Sequence, residues 1–389
     1  MLNNGITTLF INALEKSQFG RLHLVFPGGQ SRCFFGSNEG PTAHLKLHDL
    51  SVIPAIATGG DVALAETYRD GWWDSDDLGA LILYGLINKD NLSRYINGTR
   101  IRRAAHHFQN FMRRNSYKGS MRNISAHYDL GNDFYALWLD EGMTYSSALF
   151  LNEEESLYEA QNNKYDRLLS RIGFTSQSVL EIGCGWGGFA ERTVTQTDHK
   201  LRAITLSPAQ CEYAHQRLSK HRRRANIQLQ DYRDQHGRYD SIVSIEMFEA
   251  VGERYWPVYF RKAKQLLAAH GRLLMQTITI DDAYFNAYRK QGDAIRQLIF
   301  PGGLLPSELR LKQVAQNNGL VITDRYEFGQ HYARTLEHWL SRFNAQEAAI
   351  LAQGKDQRFV RLWRYYLASC IAAFRCGRTN VVQLELSHA

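Results

Sequence analysis

The sequence runs to 389 residues, 44% hydrophobic, 12% aromatic and 22% charged, which suits about two to three domains with a sizeable core and excludes wholesale disorder. No apolar run approaches the roughly 20 residues that span a bilayer, Met1–Ala13 has no secretory-signal pattern, and five scattered cysteines (Cys33, Cys184, Cys211, Cys370, Cys376) argue against a disulfide scaffold or a metal module. The 46 basic residues outnumber the 39 acidic ones, for a net charge of +7, and they crowd Arg100, Arg102, Arg103, Arg113, Arg114, Lys118 and Arg122, then Lys220 and Arg222–Arg224, a pattern that favours an anionic partner.

In chain order, residues 1–115 read as a small α+β domain. Gly20–Phe35 carries two alternating runs around Pro27-Gly28-Gly29, a hairpin signal. Ala43–Leu50 offers a third strand, so a β-meander is expected. Asp74-Ser75-Asp76-Asp77 supplies N-caps for a helix over Leu78–Leu86. A polar, basic connector follows at about 110–122. From 123 to 389 strands alternate with helices: strands at Ser178–Ile182, Leu201–Leu206, Ile227–Gln230, Ser241–Ile245 and Gly271–Ile280, helices at Pro208–Lys220 and Tyr255–Ala269. That alternation predicts a parallel α/β sheet covered on both faces. After Pro301 the pattern reads mainly as helices, including Arg358–Phe374.

The strongest chemical signal is V-L-E-I-G-C-G-W-G-G at 179–188, a buried strand running into a glycine turn and a helix. Glycines there let a nucleotide-like ligand approach the backbone. Gly183, Gly185 and Gly188 also satisfy the dinucleotide fingerprint, but the second strand ends in Thr205-Leu206-Ser207, with no acid to hold a ribose. An acid at Glu181 followed by G-x-G is the pattern of S-adenosylmethionine (SAM) methyltransferases.

Further motifs follow: H-Y-D-L-G-N-D-F-Y at 127–135, M-T-Y-S-S-A-L-F at 143–150, T-L-S-P-A-Q at 205–210, M-F-E-A-V-G at 247–252, I-F-P-G-G-L-L-P-S at 299–307, H-Y-A-R-T-L at 331–336 and Y-L-A-S-C-I-A-A-F-R at 366–375. With them the chain resembles the cyclopropane-fatty-acyl-phospholipid synthases, which include the mycolic acid cyclopropane synthases. The resemblance is distinct over about 120–380 and weaker in the N-terminal part, which is similar to a lipid-engaging extra domain. It implies a Rossmann-like class I SAM-dependent methyltransferase domain with helical insertions. It also implies addition of one carbon from SAM across a double bond in a phospholipid acyl chain. An alkene is a weak nucleophile, so the donor must be a sulfonium, and the carbocation formed must be kept from water and lose a proton. Aromatic rings tolerate such a cation, and Tyr145, Tyr332 and Trp186 are candidates.

By the same resemblance the base is a bicarbonate ion, held here by Glu249, Ile278, Tyr332, and by Ser147 and Gln276 where the family has Cys and His. Ser and Gln can still bond an anion, but Gln276 cannot relay a proton, so a methyl- or methylene-branched product is an alternative. Cys370 matches a family cysteine once proposed for the active site, although methyl transfer requires no thiol. For SAM, the resemblance places Tyr145 and Ser146 over the methionine end, Glu181, Gly183, Cys184, Gly185 and Gly187 beneath it, Thr205, Leu206 and Gln210 near the ribose, and Asp231 and Tyr232 near adenine.

The expected protein is a cytoplasmic enzyme, peripheral to the inner face of the membrane, acting on unsaturated phospholipid at an anionic surface, with a homodimer implied by resemblance and no metal. A small-molecule N-methyltransferase fits less well, because it would lack the N-terminal domain. A basic nucleic-acid-binding module is the alternative of another class; no RNA-binding motif supports it, and no nucleic-acid partner is expected.

Overall fold

The computed structural model describes residues 4–96, 119, 130–173, 177–290 and 293–389. The basic residues Arg100, Arg102, Arg103, Arg113, Arg114, Lys118 and Arg122, and His127–Asp129 of the first motif, lie outside the described residues. The chain divides into two compact units, one of 1–112, 287–301 and 339–378, the other of 113–286, 302–338 and 379–389.

In the first unit, β1 (Phe19–Val25) and β2 (Ser31–Phe35) form the hairpin, β3 spans Asn38–Leu47 and β4 is Trp73–Asp74. The sheet is no meander. Its order is β2-β1-β3-β4, and β3 runs parallel to β1. The chain leaves β2 at Gly36 and crosses to the far side of β1, Gly36 N–H bonding to Gly20 O and Asn38 N–H to Gln18 O, both at 2.8 Å. A Cβ on Gly36 would lie 2.5 Å from Phe19 N, so only glycine permits the crossing. Asp77 caps the helix Leu78–Ile87, accepting from Ala80 N–H at 2.9 Å.

The segments 287–301 and 339–378, expected in the second domain, join this unit because their apolar residues complete its core. Ala294 and Tyr365 pack in one cluster with Leu22, Leu24, Ile53, Ile56, Trp73 and Tyr84. Arg361, on the helix Gln357–Arg375, fastens the joint: it donates to Trp73 O at 2.8 Å and Asp74 Oδ1 at 2.7 Å and lies 4.1 Å over the Tyr68 ring.

The second unit is a seven-stranded sheet: β5 (Ser178–Ile182), β6 (Lys200–Thr205), β7 (Ala225–Leu229), β8 (Tyr239–Ile245), β9 (Leu267–Ile280), β10 (Leu320–Glu327) and β11 (Thr379–His388). Its order is β10-β11-β9-β8-β5-β6-β7. Strands β5 to β9 pair in parallel, and β11 runs antiparallel to both neighbours. The five expected strands therefore stand where the alternation put them. The helices expected after Pro301 are present, Gln357–Arg375 among them; two strands, β10 and β11, stand beside them, and Thr379–His388 has its apolar positions buried between β9 and β10. Val179, Leu180, Leu201, Ala203, Ile242 and Val243 are buried, as covering both faces of a parallel sheet requires. The chain winds outward through β5, β6 and β7, then returns to β8 on the other side of β5. That reversal opens a crevice at the carboxyl ends of β5 and β8.

Candidate active site

A cleft of about 1140 Å³, the open solvent at its mouth included, occupies that crevice. Its walls are the turns after β5 (Glu181, Gly183, Cys184, Gly185), β6 (Thr205, Leu206, Gln210), β7 (Asp231, Tyr232) and β8 (Glu246, Met247), closed by Tyr145 and Ser146. Of the residues assigned to SAM from sequence, Gly187 alone does not line the cleft. It caps the helix Gly188–Gln196 at φ 82°, and a Cβ there would meet the Ala214 Cβ at 3.2 Å. Gly188 stands on the wall instead.

The cleft fits a cationic nucleoside-bearing substrate. A Cβ on Gly183 would lie 2.8 Å from Met247 Cγ, and one on Gly188 2.8 Å from Tyr165 Oη, so any other residue there would have to displace those side chains at the cleft wall. Glu181 is buried and its Oε2 has no hydrogen-bond partner. Burial pushes its carboxyl up to about 8 despite Lys164 and Arg217. An acid left short of a partner on this wall is matched by a cation. At the end of β6, the Thr205 hydroxyl donates to Gln210 Oε1 at 2.9 Å, fixing the amide at the cleft edge. Asp231 Oδ1 accepts from Arg233 N–H at 2.9 Å, which sets the turn carrying Tyr232. The phenol of Tyr232 is pushed up to about 12 by burial, so it stays neutral.

Behind this wall lies a buried polar cluster that sequence reasoning only partly found. Ser147 N–H and Gln276 Nε2 each donate to Glu246 Oε1 at 2.8 Å, and the Tyr332 hydroxyl donates to Glu246 Oε2 at 2.7 Å. Gln383 Nε2 donates to Gln276 Oε1 at 2.9 Å, turning the Gln276 amino group toward Glu246. Ser147, Gln276 and Tyr332, assigned to bicarbonate from sequence, thus converge on a carboxylate of the chain itself. Glu249 is nearby but separately held: Ile278 N–H and the Thr277 hydroxyl, the latter at 2.9 Å, donate to its Oε1. Burial and the neighbouring Glu246 push Glu249 up to about 8, so near neutrality it holds its proton. Burial also raises Glu246, opposed by Gln276, Ser147, Tyr332 and Lys164.

Lys164 and Glu246 were missed. Lys164 Nζ donates to Ser146 Oγ at 2.7 Å and sits 4.3 Å from the centre of the Tyr165 ring. Burial lowers it to about 7, while Glu246, Asp140 and Glu181 draw it back up. Its signal was legible, a lysine on the buried face of the helix Leu157–Ile172 with Leu157, Ala160, Leu168 and Ile172. Cys370 belongs to the other compact unit. Burial and nearby Asp293 push its thiol up to about 12, the reverse of an activated nucleophile. Among the described residues no group of side chains could hold a metal, and no helix is long and apolar enough to cross a membrane.

The β7-β6-β5-β8-β9 arrangement with its antiparallel β11 and the glycine-turn cleft define a class I SAM-dependent methyltransferase. Residues 115–384 match the family model for mycolic acid cyclopropane synthetase. The chain belongs to the cyclopropane-fatty-acyl-phospholipid and mycolic acid cyclopropane synthase family. It is 38% identical to tuberculostearic acid methyltransferase of Mycobacterium tuberculosis, covering 94% of this chain and 87% of that one. It is 31% identical to cyclopropane-fatty-acyl-phospholipid synthase of Escherichia coli, covering 92% and 91%. Among solved structures, a mycolic acid cyclopropane synthase complexed with SAH and CTAB superposes at TM-score 0.64 with 31% identity, covering 68% of this chain and 97% of that one.

Proposed function

We propose that this enzyme adds one carbon from SAM across the double bond of an unsaturated fatty acyl chain in a phospholipid, closing a cyclopropane. The observation that carries the reading is the continuity of the SAM cleft with a buried carboxylate cluster: Glu246 lines the cleft and is bound by Ser147, Gln276 and Tyr332. Bound SAM supplies an electrophilic methyl group on a sulfonium. Glu181, the glycine turn, Gln210 and Tyr232 would hold it, and Tyr145 and Ser146 would cover its methionine end. The chain's own further work is to shelter a carbocation and remove a proton from the added carbon. Aromatic Tyr145 suits the first task, and a carboxylate held by three donors suits the second. The acyl substrate class is supported by the relatives named for fatty acyl and mycolic acid chemistry.

A second reading, a methyl- or methylene-branched chain, is favoured by Ser147 and Gln276 at the family's Cys and His positions and by the relative named as a methyltransferase for tuberculostearic acid. Ring closure and methylene formation each take one hydrogen from the incoming methyl group, whereas a methyl branch keeps all three. The test is incubation with vesicles of cis-unsaturated phosphatidylglycerol and SAM carrying a trideuterated methyl group. The expected lipid product retains two of the three deuterons and shows high-field cyclopropane proton signals. Olefinic methylene signals would instead support the second reading, and no labelled lipid would reject both. Peripheral attachment through basic side chains predicts that turnover on these anionic vesicles falls as salt rises.

A further inference from the structure

Among the described residues only Met143 and Glu246 are non-glycine residues with positive φ, at 52° and 49°, and both stand on the cleft wall. Such a backbone is strained and persists only where its surroundings hold it. At Glu246 they do: its N–H bonds to Gln276 O at 2.7 Å. Both carboxylate oxygens are also taken, Oε1 by Ser147 N–H and Gln276 Nε2, Oε2 by Tyr332. Gln276 is fixed through Gln383, which in turn accepts from Arg167 at 2.6 Å. Bicarbonate and a glutamate carboxylate present the same planar pair of acceptor oxygens, and one set of donors cannot serve both. Bicarbonate therefore does not fit beside these residues: three of the five assigned to it already hold Glu246.

We infer that Glu246 is the proton acceptor of this enzyme, a carboxylate built into the chain where the family resemblance implies a diffusible bicarbonate. The inference rests on the one-carbon transfer proposed above. Once the added methyl stands beside the electron-deficient acyl carbon, Glu246 takes one methyl proton. The C–H electron pair becomes the C–C bond that closes the ring and cancels the positive charge. The proton stays on the Glu246 carboxyl until product departs and water reaches the cleft. In the methylene reading a hydride first shifts from the methylated carbon to its cationic neighbour; the methyl proton then leaves to Glu246, and its electron pair forms the exocyclic double bond.

The test compares wild type, Glu246→Gly and Glu246→Gln as full chains in carbon-dioxide-stripped buffer, with and without added bicarbonate. Wild-type turnover is expected to be indifferent to bicarbonate. Glu246→Gly is expected to lose about 10³-fold in turnover and to recover at least about tenfold with bicarbonate. Glycine accepts the positive φ, so folding should survive, and unchanged SAM affinity by calorimetry checks this. In Glu246→Gln the amide fills the space, so bicarbonate should not rescue it. A readout independent of turnover is binding of ¹³C-bicarbonate by NMR, expected for Glu246→Gly and absent for wild type. Bicarbonate dependence or bicarbonate binding in wild type, or full activity of Glu246→Gly in stripped buffer, would overturn the inference, as would failure of Glu246→Gly to bind bicarbonate while it still binds SAM. Should wild type make no lipid product under any condition, the proposed function fails, while the ¹³C measurement still decides where bicarbonate binds.

Discussion

Glu181→Leu is expected to weaken SAM binding by about 100-fold, roughly 2.7 kcal/mol, while raising the unfolding temperature. Both effects follow from one fact: Glu181 is a buried acid with an unpartnered oxygen on the cleft wall. Without substrate it costs stability, and an apolar residue of similar size relieves that cost. With a cationic substrate beside it, the same carboxylate is a counter-ion. The sign with pH follows from its shift from 4.5 to about 8. Between those values the folded chain holds a proton that the unfolded chain has released, so this group lowers stability as pH rises through that window. Wild-type unfolding should therefore fall more steeply than that of Glu181→Leu from about pH 5 to 8. SAM, by favouring the carboxylate, should bind with proton release below pH 8. Calorimetry in buffers of different ionisation enthalpy measures that release, and thermal unfolding with pH measures the slope. Equal SAM affinity in wild type and variant would refute the assignment.

Lys164→Met is expected to destabilise the fold at pH 7, where about half of the Lys164 side chains carry the ammonium, and to cost at least about 100-fold in turnover. The ammonium of Lys164 is the cation that Glu246, Asp140 and Glu181 share, and it positions Ser146 through its 2.7 Å bond. Methionine keeps the length and apolar stem but removes the counter-charge the three carboxyls share, leaving Arg217 to face Glu181. All three are raised by burial, so without Lys164 they take up protons as pH falls. The deficit should accordingly shrink toward pH 5.5, and urea unfolding at the two pH values reads the difference. A deficit independent of pH would mean that Lys164 acts through packing alone.

The cleft was legible because its residues lie in contiguous runs. Glu181 to Gly185 end one strand, Thr205 to Gln210 end the next, and Asp231-Tyr232 follow the third, so strand order alone brings them together. The carboxylate cluster was legible only in part, because it is assembled across long separations: Ser147, Glu246, Gln276 and Tyr332 come from four elements. Glu246 follows the last residue of an apolar strand, three residues before Glu249, and the family resemblance points to the second acid of the pair. Its left-handed backbone leaves no trace in residue type. β11 was missed although Val381, Val382, Leu384 and Leu386 are apolar, because a strand that follows a run of helices and inserts antiparallel between β9 and β10 cannot be placed from local pattern. For the same reason, nothing local told that Gln357–Arg375 would complete the core of the N-terminal unit.

A crystal structure with SAH is expected to show density along Gly183–Gly188, ribose beside Gln210, adenine beside Tyr232, and the sulfur facing the Glu246 carboxylate, because the glycine turn seats SAM with its reactive end toward that group. SAH bound elsewhere, or with its sulfur turned away, would mean that Glu246 does not face the transferred methyl.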